Sequence, residues 1–361
     1  MKAAVFREVG KPLEIEDISI SKPGPREVLV RTAAAGVCHS DLHFIKGLYP
    51  AQTPMVLGHE SAGIVEAVGS DVSYVKPGDH VITCLSVFCG HCEHCLTGHM
   101  SLCNSAEVRR GKDDEPRLSK DSLPVQQFAN LSSFAEKMLI HEHALVKIRE
   151  DMPLDRAALI GCGVTTGVGS VFHTAKVEPG STVAVIGCGG VGLSCINGAA
   201  IAGAAQIIAV DMIDTKLGMA REFGATHVVN GNDGDVVDQI RELTGGGVHY
   251  AFEAIGLKIT AEQAFSMIRP GGTAVIIGMI PVGVKIELMG AAFLQEKKIM
   301  GSMMGSNRFR VDMPRFIDFY LAGKLHLDQM ISKRIPLEKI NDAFADMEAG
   351  TVARSVILFD H

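Results

Sequence analysis

The stretch Thr182-Val183-Ala184-Val185-Ile186-Gly187-Cys188-Gly189-Gly190-Val191-Gly192 decides the fold. Its first five residues are apolar and mostly β-branched, and they read as a buried strand. A helix of small residues then runs to about Ala202. Between the two, the glycines fall in the spacing G-x-G-x-x-G. The first permits a tight turn and the second lets the backbone approach a pyrophosphate. The third lets helix pack on strand, and the helix N-terminus faces the negative charge. Gly187, Gly189, Gly190, Val191 and Gly192 are therefore candidate dinucleotide-binding positions. A second strand, Ile207 to Val210, ends at Asp211, nineteen residues past Gly192. An acid there hydrogen-bonds the adenosine ribose and repels a 2′-phosphate, which favours NAD over NADP. The plainer reading of Asp211 is a cap on the following helix.

Outward from this unit, strands and helices alternate. A helix spans Lys216 to Phe223, a strand Thr226 to Val229, and a helix Val236 to Leu243. A strand over Tyr250 to Glu253, a helix ending near Ile268 and a strand over Ala274 to Ile277 follow. Near-continuous apolar strands between helices predict an α/β, doubly wound parallel sheet covered on both faces. Before about Ser181 the chain is β-rich instead. Runs such as Val28 to Val30, Ser61 to Val68 and Asp79 to Thr83 are broken by turns at Pro23-Gly24 and Pro77-Gly78. A final strand, Ser355 to Phe359, belongs to either domain by pattern alone. A length of 361 residues suits two domains.

Net charge is −7 and no long basic run is present, so neither nucleic acid nor an anionic membrane is an expected partner. The first residues, Met1 to Glu8, lack the apolar core of a signal peptide. No stretch approaches a membrane span on this reading, and the expected location is the cytoplasm.

Four of the nine cysteines crowd into Cys89-x2-Cys92-x2-Cys95-x7-Cys103. Four thiolates suit tetrahedral zinc and leave no open position, which points to a structural ion. A ferredoxin-type cluster needs a closing three-residue gap and Cys-Pro, whereas the gap here is seven and Asn104 follows. A zinc ribbon for nucleic acid lacks its basic strip. Cys84, Cys188 and Cys195 read as small core residues. A catalytic metal needs about three protein ligands from separate segments. Cys38, His59 and Cys162, each next to or near glycine, are candidates, although each also reads as an ordinary buried side chain.

The chain resembles the zinc-dependent medium-chain alcohol dehydrogenases of the long, liver-type branch, nearly end to end. The likeness rests on Cys38-His39-Ser40-Asp41, Gly58-His59-Glu60-Ser61-Ala62-Gly63 and Lys76-Pro77-Gly78-Asp79-His80-Val81. It continues through the cysteine lobe, Gly161-Cys162-Gly163, Gly187 to Gly192, and Arg354 before the last strand. The resemblance implies a β-rich, GroES-like catalytic domain over residues 1–163 and 304–361, split by a Rossmann domain over 164–303. It implies catalytic zinc on Cys38, His59 and Cys162, with Asp41 and Glu60 behind the ligands, and NAD plus two zinc ions per chain. Ser40 would take the alcohol proton and pass it to His43 by way of the cofactor ribose. Thr166 would contact the nicotinamide, His39 and Arg354 the pyrophosphate, and Lys216 the adenosine ribose.

The implied reaction is reversible hydride transfer between NAD and a small-molecule alcohol, primary by expectation. A sister branch, the glutathione-dependent formaldehyde dehydrogenases, needs a basic pocket residue, and Glu107 occupies that register. A non-catalytic NAD-binding protein is the third reading; the complete ligand set argues against it. The loop retained after the lobe resembles dimeric relatives, with Ala274 to Met279 and Ala291 to Leu294 as the expected homodimer edges. Aromatic content of 5% suggests an aliphatic, roomy pocket. Within Asn104 to Leu131, the charged run Arg109 to Glu115 is expected to be an exposed loop.

Overall fold

The computed structural model describes residues 1–111 and 114–360. It divides into two compact units. The first comprises residues 1–162, 308–320 and 327–361, and the second 163–307 and 321–326. The family resemblance had assigned all of 304–361 to the first unit. The structure gives 304–307 and 321–326 to the second. Asn197 fixes the latter segment, donating to the Lys324 carbonyl at 3.0 Å and accepting from the His326 amide at 2.9 Å.

The first unit is built on two β-sheets. Its long strand Glu27–Gly36 is paired antiparallel with Ser61–Val68 and with Lys137–His141. The tail strand Arg354–Leu358 joins the same sheet, with Ile357 opposite Ala35. A core of Ala3 to Phe6, Val56, Leu57, Phe134 and Ile357 lies between the sheets and the helix Ile340–Glu348. In the second sheet Leu118–Lys120 and Leu123–Gln127 form a hairpin. Its two-residue turn, Asp121 and Ser122, has φ of 51° and 66°, the left-handed geometry that matches strand twist.

In the segment expected to be an exposed charged loop, Arg109, Gly111, Asp114 and Glu115 are exposed, but Arg110 is anchored. Arg110 donates to both carboxylate oxygens of Glu27, to Ser21 Oγ at 2.7 Å and to the Glu115 carbonyl at 2.6 Å. Arg117 adds a bond to Glu27 at 2.7 Å, and the Gly24 amide another at 2.9 Å. These partners hold the Glu27 carboxyl at about 2, overcoming the burial that opposes its charge. Lys112 and Asp113 of that run lie outside the described residues.

One helical run, Leu154–Ala175, has the length and hydropathy of a membrane span, contrary to expectation. Its most apolar window is 89% buried inside the protein, so protein covers its apolar surface. The run widens to π-helical turns at Ile160–Val164 and Ser170–Ala175.

The second unit carries six parallel strands: β1 (Thr182–Ile186), β2 (Gln206–Asp211), β3 (His227–Asn230), β4 (Val248–Glu253), β5 (Ile268–Ile276) and β6 (Lys298–Gly301). Their order is β3-β2-β1-β4-β5-β6, and all neighbours run parallel. The order reverses at β1, which is where an open sheet of this type takes a dinucleotide beyond its strand ends. Helices α1 (Gly190–Ile201), α2 (Asp214–Glu222), α3 (Val236–Thr244) and α4 (Lys258–Met267) connect the strands. Ala184, Ile186, Ile208, Val210, Ala251 and Ala274 are all buried in the core.

Candidate metal centre and cofactor loop

The strand Glu27–Gly36 delivers Cys38, which precedes the short helix His39–Ile45 in an extended conformation. His59 and Glu60 lie immediately before the strand Ser61–Val68. Cys162 sits in the π-helical turn Ile160–Val164. These three segments bring the Cys38 and Cys162 sulfurs and a His59 nitrogen within 4.8 Å of one another. The three residues are only 4%, 5% and 1% exposed.

Asp41 is fully buried, and one of its carboxylate oxygens accepts from His59 Nδ1 at 3.2 Å and from the Gly58 amide at 3.0 Å. That bond fixes the proton on Nδ1 and frees Nε2 as a donor atom. Burial opposes charge on His59, but the Asp41 carboxylate and the Cys38 sulfur raise its pKa well above the ordinary value. The Cys38 thiol is held well below its usual range, first by a hydrogen bond from Cys162 and then, against burial, by the Arg354 guanidinium. The same hydrogen bond, with burial, holds the Cys162 proton.

Arg354 is 3% exposed, with Nε 3.3 Å from Glu60 Oε1 and Nη1 bonded to the Val37 carbonyl at 3.2 Å. Its positive charge thus lies beside the thiols, and Nη2 has no hydrogen-bond partner among the described residues. Gly36 is required here, because a Cβ would stand 2.1 Å from Glu60 Oε1. Two sulfurs and an oriented imidazole, buried and with two carboxylates behind them, fit zinc. A set of three leaves one position open.

In the lobe, sulfur separations are 3.5 Å for Cys92–Cys95, 3.8 Å for Cys92–Cys103 and 3.9 Å for Cys89–Cys95. A zinc ion with bonds of about 2.3 Å to four thiolates sets edges of about 3.8 Å. The Cys92 amide donates to Cys89 Sγ and the Cys89 amide to Cys103 Sγ, both at 3.3 Å. The lobe therefore fits a closed, four-sulfur zinc site.

Ser40 and His43 share the helix His39–Ile45 and, three residues apart, one face of it. Ser40 Oγ lies 3.7 Å from Cys38 Sγ. His43 Nδ1 is buried without a hydrogen-bond partner among the described residues, and its ring is parallel to Tyr49 with centroids 6.2 Å apart. His39 is exposed. Sequence reasoning missed the aromatic side chains gathered here. Phe128 meets His59 edge-on at 5.7 Å and Phe44 at 4.8 Å, so the donor set has an aromatic rather than an aliphatic flank. The signal was faint, since Phe128 stands in an irregular turn where Ala129 and Asn130 have φ of 52° and 60°.

In the second unit Gly187 has φ +96°, and a Cβ on Gly192 would lie 1.7 Å from the Gly187 carbonyl. Space beside Gly189 is open. Asp211 ends β2; its Oδ2 accepts from the Cys188 amide at 2.8 Å and its Oδ1 from the Ile213 amide at 3.1 Å. It thereby braces the glycine loop and the turn into α2, which carries half-buried Lys216. Val191 and Gly190 open α1. Thr166 is 7% exposed, and its hydroxyl meets the Met304 sulfur at 3.3 Å.

Residues 24–150 match the family described as alcohol dehydrogenase GroES-like domain, and residues 190–321 the one described as zinc-binding dehydrogenase. The S-(hydroxymethyl)glutathione dehydrogenase of Paracoccus denitrificans is 39% identical, the alignment covering 99% of each chain. The chain belongs to the zinc-dependent medium-chain alcohol dehydrogenases. The class-3 alcohol dehydrogenase of Cereibacter sphaeroides, another member, is also 39% identical over 99% of both chains. The crystal structure of the benzyl alcohol dehydrogenase of Acinetobacter calcoaceticus superposes with a TM-score of 0.94, at 33% identity and 99% coverage of each chain. The GroES-like unit of this alcohol dehydrogenase therefore carries both metal-donor sets, and the doubly wound unit carries the glycine loop.

Proposed function

We propose that this dehydrogenase interconverts a primary alcohol and its aldehyde with NAD. The observation that carries the proposal is the buried Cys38–His59–Cys162 donor set, oriented by Asp41 and charge-balanced by Glu60 and Arg354. Cys38, His59 and Cys162 would hold a zinc ion, which would supply Lewis-acid polarisation of the alcohol oxygen, and the glycine loop would hold NAD as the hydride acceptor. Ser40 takes the hydroxyl proton, and His43, whose Nδ1 has no hydrogen-bond partner among the described residues, receives it on its way to water. Burial lowers the His43 pKa, which keeps the ring neutral and able to accept. In the second unit Asp211 and Lys216 would hold the adenosine ribose and Thr166 would contact the nicotinamide; in the first, His39 and Arg354 would be the partners of the pyrophosphate.

The aromatic flank of Phe44 and Phe128 favours an apolar alcohol. The names of two relatives favour a second reading, oxidation of the glutathione adduct of formaldehyde. Against it, Glu107 is paired with His91 at 2.6 Å and offers a carboxylate, not a cation. NADH formation decides between them. Turnover of benzyl and aliphatic primary alcohols, with no gain when glutathione joins formaldehyde, supports the first reading. Turnover that requires both glutathione and formaldehyde replaces it.

We also propose a homodimer. The supporting observation is that Met289, Phe293, Leu294, Met300 and Met303, late in the second unit, expose 76%, 47%, 90%, 41% and 50% of their surface. Sedimentation showing a monomer that Leu294→Glu leaves unchanged would remove this reading. All nine cysteines are free, and six of them form the two donor sets. That usage suits a reducing cytoplasm.

A further inference from the structure

The four-cysteine lobe carries a third group of donor atoms, two of which neither zinc site uses. Cys89 Sγ, a ring nitrogen of His91 and a carboxylate oxygen of Glu107 lie within 4.8 Å of one another. His91 Nε2 and Glu107 Oε1 are 2.6 Å apart, with the two side chains 66% and 44% exposed. Cys89 is shared, since it also belongs to the four-sulfur set. Donors bound to one zinc, at about 2.0 to 2.3 Å each, stand roughly 3 to 4 Å apart. The His–Glu pair needs only a small outward rotation of two solvent-facing side chains to reach that spacing.

We propose that His91 and Glu107 are the transfer port through which zinc enters and leaves the structural site. A four-thiolate site offers no open position, but four-coordinate zinc can expand to five, so a ligand held beside the site eases the departure of a sulfur. His91 and Glu107 supply two such ligands next to Cys89. As zinc moves outward it keeps Cys89, gains nitrogen and oxygen, and releases the other three thiolates. The resulting mixed set has three protein ligands and an open fourth position, where a solution ligand can take the metal or deliver it. The proposal rests on the four-sulfur site binding zinc and not on the alcohol reaction.

A port acts on rates and not on affinity, which separates it from a supporting role. Zinc release from the intact enzyme is followed with a chromogenic chelator. The catalytic ion is identified as the phase that coincides with loss of turnover, and the structural ion as the other phase. An intramolecular ligand acts at about millimolar effective concentration. Against roughly 0.1 mM chelator, its removal slows exchange on the order of tenfold. His91→Ala and Glu107→Gln are expected to slow release and reloading of the structural ion by the same factor, about tenfold, and to leave its equilibrium affinity and the catalytic phase unchanged. His94→Ala, an exposed neighbour in the lobe, is the control and is expected to leave both rates alone. Unchanged rates in the two variants would reduce the pair to a surface ion pair. A fall in affinity that accounts for the rate change would make it a support of the four-sulfur site. Either outcome overturns the port. Absence of zinc from the lobe of the wild-type enzyme would instead overturn the structural-site reading on which the port depends.

Discussion

Asp41→Asn tests the donor set most directly. Asp41 is fully buried, and a single carboxylate oxygen receives both His59 Nδ1 and the Gly58 amide, while Oδ2 has no hydrogen-bond partner among the described residues. Neutralising the group converts two charge-assisted hydrogen bonds into ordinary ones. Bonds to charged groups contribute about 1.5–3 kcal/mol and neutral ones about 0.5–1.5, so each bond loses roughly 1–1.5 kcal/mol. The His59 share falls on the metal. With the lost negative charge behind the imidazole, it corresponds to about 10- to 50-fold weaker zinc binding, within the range seen for such outer partners. The Gly58 share falls on folding. The new amide group takes the place of Oδ2, which has no hydrogen-bond partner among the described residues, and donors left unpaired there would add about 1–3 kcal/mol of destabilisation. Chelator competition reads the first quantity and denaturant unfolding of the apo-protein the second. Zinc affinity within twofold of wild type in a folded variant would refute the argument that Asp41 acts through His59.

Three further outcomes are expected. Cys162→Ala abolishes turnover and leaves NADH binding measurable by fluorescence, whereas Cys95→Ala lowers the unfolding temperature before it affects chemistry; surviving activity in the first would displace the catalytic metal from this donor set. Gly192→Ala forces a Cβ against the Gly187 carbonyl, 1.7 Å away, and weakens NADH at least tenfold with little change in zinc content, measured by fluorescence titration and metal analysis. The third concerns acid stability. Glu27 drops from its ordinary 4.5 to about 2 in the folded protein, a shift equivalent to about 3 kcal/mol. Because the folded value is the lower one, this stability is present above pH 4.5 and is lost as pH falls from about 4.5 toward 2. Glu27→Gln removes that slope from the acid-unfolding curve and also leaves Arg110 and Arg117 without their carboxylate, so a curve parallel to wild type would contradict the clamp.

Local chemistry by itself determined the doubly wound unit. The run Thr182 to Ile186, the G-x-G-x-x-G glycines and Asp211 are close in sequence, and each strand or helix advertises its period within a few residues. The same is true of the cysteine lobe, where four donors fall within fifteen positions. Family resemblance, not spacing, pointed to Cys38, His59 and Cys162, because ligands from three separate segments, the last more than a hundred residues from the other two, leave no periodic trace. Tertiary structure alone decided what surrounds them. It brought Arg354, from the final strand, against Glu60 and the thiols. It turned Arg110 from an expected surface charge into a clamp on Glu27, and it carried Phe128 to the edge of His59. Each of these depends on a long-range pairing: the tail strand beside Glu27–Gly36, or the 104–131 segment folded back on the first sheets. A charge or a ring in such a position is set by its distant neighbours, and its own sequence window says only that it is charged or aromatic.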